Sequence, residues 1–141
     1  MVCGGTTSLL AAAFLCKPLN TILPRHLDPA IPPVAKIDGV DLVTEGLITI
    51  RQVLEYARKY LAGTDDGVPW YTGEDGASQI ARMLFDEAGE ITLYVGKAVN
   101  PAHQDAVPEE APAEYGDKIG LLRELESCLK KMGKPVQVHY C

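Results

Sequence analysis

The residues best suited to do chemistry stand near the start of the chain, in the run Cys3-Gly4-Gly5-Thr6-Thr7-Ser8. Two glycines permit a tight turn and a close approach of another group to the backbone. A hydroxyl of Thr6, Thr7 or Ser8 can cap the helix that follows. The first N–H groups of that helix have no partner inside it, and they carry roughly half a positive charge. A strand, a turn of small residues and a helix start therefore predict an anion-binding site.

Two further loops would bring polar groups to the same place, since ligands of open parallel sheets bind beyond the carboxyl ends of the strands. The residues predicted to bind a phosphate-bearing small molecule there are Gly4, Gly5, Thr6, Thr7, Thr44, Glu45, Lys97, Asn100 and His103. In this interpretation the glycines, the threonines and Lys97 hold the phosphate. Glu45 accepts ribose hydroxyls, or holds a metal ion between itself and a phosphate.

Each of these residues also has a purely structural interpretation. The run of glycines and threonines is neither GxGxxG nor a P-loop, and a tight turn with a helix cap explains it equally. Glu45 and Lys97 can be solvated loop charges, and His103 can be a hydrogen-bonding residue of its turn. The run Asp75-Gly76-Ala77-Ser78 is most simply a helix start.

Cysteine chemistry is a further alternative. Cys3 precedes a helix start, where a thiolate is stabilised, but its one loop candidate for a base is His103. The other cysteines are Cys16, Cys128 and Cys141, with no CxxC and no Cys/His pair at zinc-ligand spacing. We therefore expect free thiols in a reducing cytosol, no catalytic residue, no metal site and no required cofactor.

Composition limits the possible partners. The chain has 141 residues, of which 47% are hydrophobic, so the whole of 1–141 is predicted to form a single α/β domain with its own core. The net charge of −6 argues against nucleic acid and against an anionic membrane surface. No apolar run approaches the roughly 18 residues of a membrane span, and no basic segment opens a signal peptide. A cytoplasmic protein is expected.

Alternating helices and strands predict a three-layer, Rossmann-like α/β fold. Its mostly parallel sheet would have about four strands, with helices on both faces. Helices are predicted at 7–16, 48–61, 75–88 and 117–132, and strands at 1–3, 19–23, 40–43, 90–99 and 135–140. The first helix is apolar nearly all round and is expected to be largely buried. Four prolines in 24–36 predict an extended surface crossing.

Four motifs together resemble one group of bacterial proteins, the stage II sporulation protein E-like serine/threonine phosphatases. They are Val2-Cys3-Gly4-Gly5-Thr6-Thr7, Pro32-Pro33, Gly39-Val40-Asp41-Leu42-Val43-Thr44-Glu45-Gly46 and Asn100-Pro101-Ala102-His103-Gln104. The resemblance covers most of the chain. It concerns the region that follows the metal-dependent, PP2C-type catalytic domain of those proteins.

This resemblance implies an upstream phosphatase domain in the same chain, which agrees with the abrupt first strand. The aspartates that hold the catalytic metals would lie in that upstream domain, and Asp41, Asp75 and Asp86 match none of them. The first hypothesis is thus a non-catalytic regulatory module that binds an anionic small molecule. The alternatives are a protein-interaction or homodimerisation module without a ligand, and a small enzyme that uses Cys3 or Glu45.

Overall fold

The computed structural model describes residues 1–22, 34–64, 70–96 and 111–141, and these form a mixed α/β structure. The predicted class is therefore confirmed. In chain order the elements are β1 (Val2–Cys3), α1 (Gly5–Leu15), β2 (Asn20–Ile22), β3 (Val34–Ile37), β4 (Val40–Thr44), α2 (Leu47–Ala62), α3 (Gly76–Ala81), β5 (Ile91–Val95), α4 (Ala111–Lys131) and β6 (Val136–Tyr140). Helix α3 runs directly into a π-helical segment, Arg82–Glu87. No helix among the described residues is long and apolar enough to cross a membrane.

The strands form two sheets. The first has the order β1-β4-β3-β2, in which β1 is parallel to β4, while β3 is antiparallel to both β4 and β2. The second consists of β5 and β6 in parallel. The prediction of one mostly parallel sheet is therefore wrong, because the four-stranded sheet is mixed.

A missed strand explains this error. Residues 34–37 form β3, although the sequence places 34–36 in the proline-rich crossing. A tight turn at Asp38-Gly39 then joins β3 to β4, and Gly39 adopts a φ of 91°, which glycine accepts at little cost. Adjacent strands joined by so short a turn must be antiparallel.

The main core lies between α2, α3, α4 and the inner faces of the strands. Helix α2 buries Val53, Leu54 and Ala57 along one stripe, as its 3.6-residue periodicity predicts. Leu125 and Leu129 of α4 belong to the same cluster. Burial of these aliphatic side chains is the main force that holds the three helices together.

Helix α1 departs from its prediction. Only Ser8 and Ala12 are buried, where Ala12 packs on Ile37 and Val43 of the first sheet. Its large apolar side chains are exposed, and at 100° per residue Leu10 and Phe14 lie on the side opposite Ser8 and Ala12. The expectation of a largely buried helix is wrong because small residues, spaced four apart, form the side that meets the narrow sheet.

Candidate functional site

The ends of β1 and β4 form the candidate site. These strands are neighbours and run in parallel, with Cys3 opposite Thr44, so both end at the same edge of the sheet. The Gly4 N–H donates to the Thr44 carbonyl at 3.0 Å. A Cβ atom added to Gly46 would lie 3.3 Å from the Gly4 Cα. The loop after β1 and the loop after β4 therefore touch, backbone against backbone.

Two helices begin at this edge. Helix α1 follows Gly4 and α2 follows Gly46, and neither helix receives a capping hydrogen bond from a side chain. The first intrahelical bonds run from Ser8 N–H to the Gly4 carbonyl and from Ile50 N–H to the Gly46 carbonyl, at 2.9 and 3.1 Å. The backbone N–H groups of residues 5–7 and 47–49 lie in the first turn of each helix and have no hydrogen-bond partner inside it.

The prediction of a hydroxyl cap on α1 is wrong. The helix begins at Gly5, two residues earlier than predicted, so Thr6 and Thr7 fall in its first turn. The Ser8 hydroxyl donates back to the Gly4 carbonyl at 2.8 Å. Helix α3 provides the contrast, because the Asp75 carboxylate accepts from the Ser78 N–H at 3.0 Å. The Asp75 run is thus a helix start, as predicted.

Thr44 forms the wall between the two loops and α3. Its side chain is buried, and its hydroxyl donates to the Glu45 carbonyl at 2.9 Å. A Cβ atom on Gly76 would lie 2.9 Å from the Thr44 methyl group, so the start of α3 packs closely against this residue. The position of Thr44 is therefore fixed by both backbone and side-chain contacts.

Two buried oxygens near this edge lack a hydrogen-bond partner. They are Oε2 of Glu45 and Oγ1 of Thr49, a residue in the first turn of α2 that is 2% exposed. A buried polar atom without a partner costs free energy that a suitable donor or acceptor would recover. Sequence reasoning missed Thr49, whose only signal is a threonine placed three residues after the Gly46 turn.

Cys3 lies beside Thr44 at the same edge. Burial raises the pKa of its thiol, an effect opposed by the Thr44 hydrogen bond and by the N-terminal charge, and supported by the charge of Glu45. A nucleophilic cysteine needs the opposite shift, toward the thiolate. This environment therefore gives no support to the alternative of an enzyme that uses Cys3.

The structure brings together Gly4, Gly5, Thr6 and Thr7 on one side and Thr44 and Glu45 on the other. Lys97, Asn100 and His103 lie outside the described residues. Strand β5, which precedes them, pairs with β6 in the second sheet. The pairing of β1 with β4 thus brings two of the three predicted loops together, namely the loop after β1 and the loop after β4.

The chemistry available at the described edge is donation by helix N-terminal N–H groups and acceptance by a carboxylate. Within the described ranges, no group of three or more His, Cys, Asp or Glu side chains is placed to hold a metal ion. Comparison of the chain with protein-family models, with curated proteins and with solved structures gives no match.

Proposed function

We propose that the edge formed by the starts of α1 and α2 binds the phosphate of a small molecule, and that the chain is a non-catalytic, ligand-sensing module. One observation carries this proposal. Two helices begin side by side on adjacent parallel strands, and neither has a side-chain cap. The partial positive charges of both N-termini therefore act on the same region, where an anion would be stabilised.

The carboxylate of Glu45 narrows the class of ligand. A negative charge at the edge opposes a bare anion, whereas its unpartnered Oε2 would accept a hydrogen bond from a hydroxyl. A nucleotide or a sugar phosphate offers both a phosphate and hydroxyl donors. Because Oε2 is shielded from solvent, the Glu45 side chain must rotate before this oxygen can contact such a ligand.

The wider setting of the module is part of the proposal. The resemblance to sporulation-type phosphatases supports a regulatory role toward a phosphatase domain in the same chain, in the bacterial cytoplasm. Lys97, Asn100 and His103 are retained as binding residues because of their sequence positions. A three-layer, Rossmann-like arrangement of the two sheets is retained as well, with β1 and β4 supplying the binding edge.

A thermal-shift titration with inorganic phosphate, nucleotides and sugar phosphates at millimolar concentration tests the binding proposal. A ligand present at ten times its Kd stabilises the fold by about 1.4 kcal/mol and raises the Tm by a few degrees. Gly5→Val should abolish the rise, since the new side chain stands over the first turn of α1. Its matched control is Gly89→Val, because neither glycine has an atom within 4 Å of an added Cβ and neither has a positive φ.

Glu45→Gln tests separately how the phosphate and the hydroxyl groups of a ligand are bound. The substitution removes a negative charge, so inorganic phosphate should bind at least as well as before, while a sugar phosphate should lose the strong acceptor for its hydroxyl. The absence of any shift with every phosphate compound, or equal shifts in Gly5→Val and the parent chain, would contradict the binding proposal.

A protein-interaction module is the second candidate function, and the exposed side of α1 favours it. Leu10 and Phe14 are 67% and 87% exposed, in a helix that carries no charged residue from Gly5 to Leu15. Exposed apolar surface of this kind commonly marks an interaction site.

A further inference from the structure

Thr49 is a buried threonine in the first turn of α2, and its hydroxyl is unused within the described part of the chain. The residue is 2% exposed, and its Oγ1 has no hydrogen-bond partner among the described residues. Thr44 provides the contrast, since it is 4% exposed and its hydroxyl donates to the Glu45 carbonyl at 2.9 Å. A buried hydroxyl without a partner lowers the stability of the fold, so Thr49 needs an explanation that Thr44 does not.

The position of Thr49 directs its hydroxyl toward the candidate site. Thr49 is the first member of the buried stripe of α2 that continues with Val53 and Ala57. Helical side chains lean toward the N-terminus of their helix, so that of Thr49 leans toward the start of α2. Gly46 stands three residues earlier on the same side of the helix, and a Cβ atom on it would lie 3.3 Å from the Gly4 Cα. The Thr49 hydroxyl therefore lies on the side of α2 that faces the loop after β1.

We propose that the Thr49 hydroxyl donates to an oxygen of the ligand's phosphate, and that the site is specific for a terminal phosphate, the phosphomonoester group. This inference rests on the proposed function and names the part of the ligand that the two helix starts recognise. The backbone N–H groups of both starts bind the outer oxygens, while Thr49 binds an inner one. A hydroxyl that donates to an anionic oxygen forms a strong hydrogen bond, which also removes the cost of burying it unpaired.

The depth of Thr49 selects the terminal phosphate. Because its oxygen is shielded from solvent, it is reached only by a group that projects inward past the first turns of α1 and α2. A phosphomonoester carries all its unsubstituted oxygens at the end of the molecule and can enter in this way. A phosphodiester has a substituent on both sides of the phosphorus, and one of them would have to enter as well. Nucleoside 5′-phosphates and sugar phosphates therefore fit the site, whereas cyclic nucleotides do not.

Titration calorimetry with a matched pair of nucleotides tests this specificity. Adenosine 5′-monophosphate ends in a phosphomonoester, whereas adenosine 3′,5′-cyclic monophosphate has the same base and sugar with a phosphodiester. We expect the parent chain to bind the first at least about tenfold more tightly, because the second cannot reach Thr49. Thr49→Val keeps the shape of the side chain without its hydroxyl, and should weaken binding of the 5′-monophosphate roughly 10- to 100-fold.

Thr49→Ser is the conservative variant, and it should restore most of the affinity for the 5′-monophosphate because it retains the hydroxyl. The cyclic nucleotide should bind the parent and both variants alike. The two nucleotides differ in charge by the same amount for every chain, so a change in their affinity ratio reports the hydroxyl alone.

A measurement without ligand distinguishes this role from a structural one. Thr49→Val removes an unused buried hydroxyl and should raise the Tm by a few degrees. Thr44→Val is the matched control, because it removes a hydroxyl that is bonded to the Glu45 carbonyl and should lower the Tm. Opposite signs are therefore expected at two buried threonines, whereas a structural role of both hydroxyls would give a loss at each.

Three results would overturn this inference and leave the proposed function standing. They are equal affinities of the parent for the two nucleotides, an unchanged affinity for the 5′-monophosphate in Thr49→Val, and a Tm that Thr49→Val lowers in the absence of ligand. The last would show that the hydroxyl has a partner within the folded chain. Failure of every phosphate compound to bind the parent chain would instead overturn the proposed function, and this inference with it.

Discussion

Helices α1 and α2 begin at the same edge of the same sheet, yet the two differ in what surrounds them. Each follows a strand and a glycine without a side-chain cap. Helix α2 is amphipathic and buries its apolar stripe against α3 and α4. Helix α1 is apolar nearly all round and buries only two small residues. Burial is thus a property of two opposed surfaces, and α1 has only one narrow surface beneath it within the described chain.

The comparison gives the apolar residues of the two helices different roles. Those of α2 stabilise the fold, because folding itself removes them from water. Those of α1 gain nothing from folding while they stay exposed, and would be stabilised only by association. Identical substitutions should therefore have unequal effects in the two helices.

The largest expected effect is that of Leu54→Ala. Leu54 is 1% exposed in the main core, and its truncation should lower the free energy of unfolding by about 2–5 kcal/mol. Leu10→Ala is the matched control in α1, and at low protein concentration it should change that free energy by no more than about 0.5 kcal/mol. Urea unfolding monitored by circular dichroism measures both values.

Protein concentration sharpens this test. If association with another chain buries Leu10 and Phe14, the cost of Leu10→Ala should grow as the concentration of that chain rises, while that of Leu54→Ala should stay constant. Equal and concentration-independent costs at the two sites would show that α1 is buried within the single chain, and the contrast between the helices would then be lost.

A smaller effect is expected from Gly76→Ala, at the contact between α3 and the binding edge. The new Cβ would overlap the Thr44 methyl group at 2.9 Å, with a cost of about 1–3 kcal/mol. The same change at Gly120 in α4 meets no atom within 4 Å and should stabilise the helix by about 0.5–1 kcal/mol.

Thr44→Ser removes the overlapping methyl group and should recover part of the loss in Gly76→Ala. A double-mutant cycle from chemical unfolding gives the coupling between the two positions. Additive effects would mean that Thr44 does not touch α3 in solution, and that this wall of the site is less closely packed than α2 and its neighbours.

Local patterns predict much of this fold, and the errors have physical causes. The stripe that includes Val53, Leu54 and Ala57 has a clear helical period and is buried as predicted. The strand before Asp38-Gly39 was missed because Pro32 and Pro33 stand just ahead of it and suggest an irregular crossing. The prediction that α1 is largely buried is wrong because an apolar sequence favours burial but does not show that the fold provides a surface to cover every side of the helix.

Part of the candidate site could likewise be predicted from the sequence, and part could not. The contact between Gly4 and Thr44 could be predicted, since parallel neighbours end at one edge. The unpartnered atoms of Glu45 and Thr49 could not, because the burial of a side-chain oxygen depends on tertiary packing that no local pattern encodes.

The smallest expected effects concern two thiols, that of Cys128 in the core and that of Cys16 at the end of α1. Cys128 is buried, and burial, assisted by the charge of Glu124, raises the pKa of its thiol above the ordinary 9.0. The folded protein therefore keeps this proton at a pH where the unfolded chain has released it. The free energy of unfolding gains from this group below pH 9.0 and loses that gain as the pH rises through the raised pKa.

Unfolding followed from about pH 8 to about pH 10.5 tests this sign. The fall in stability should be shallower in Cys128→Ala than in the parent, because the variant lacks the shifted thiol. Iodoacetamide gives a second measure, since it should alkylate Cys16 in the native state and Cys128 only when the core opens. Equal alkylation rates would place Cys128 in contact with solvent and remove the difference between the core and α1 on which these expectations depend.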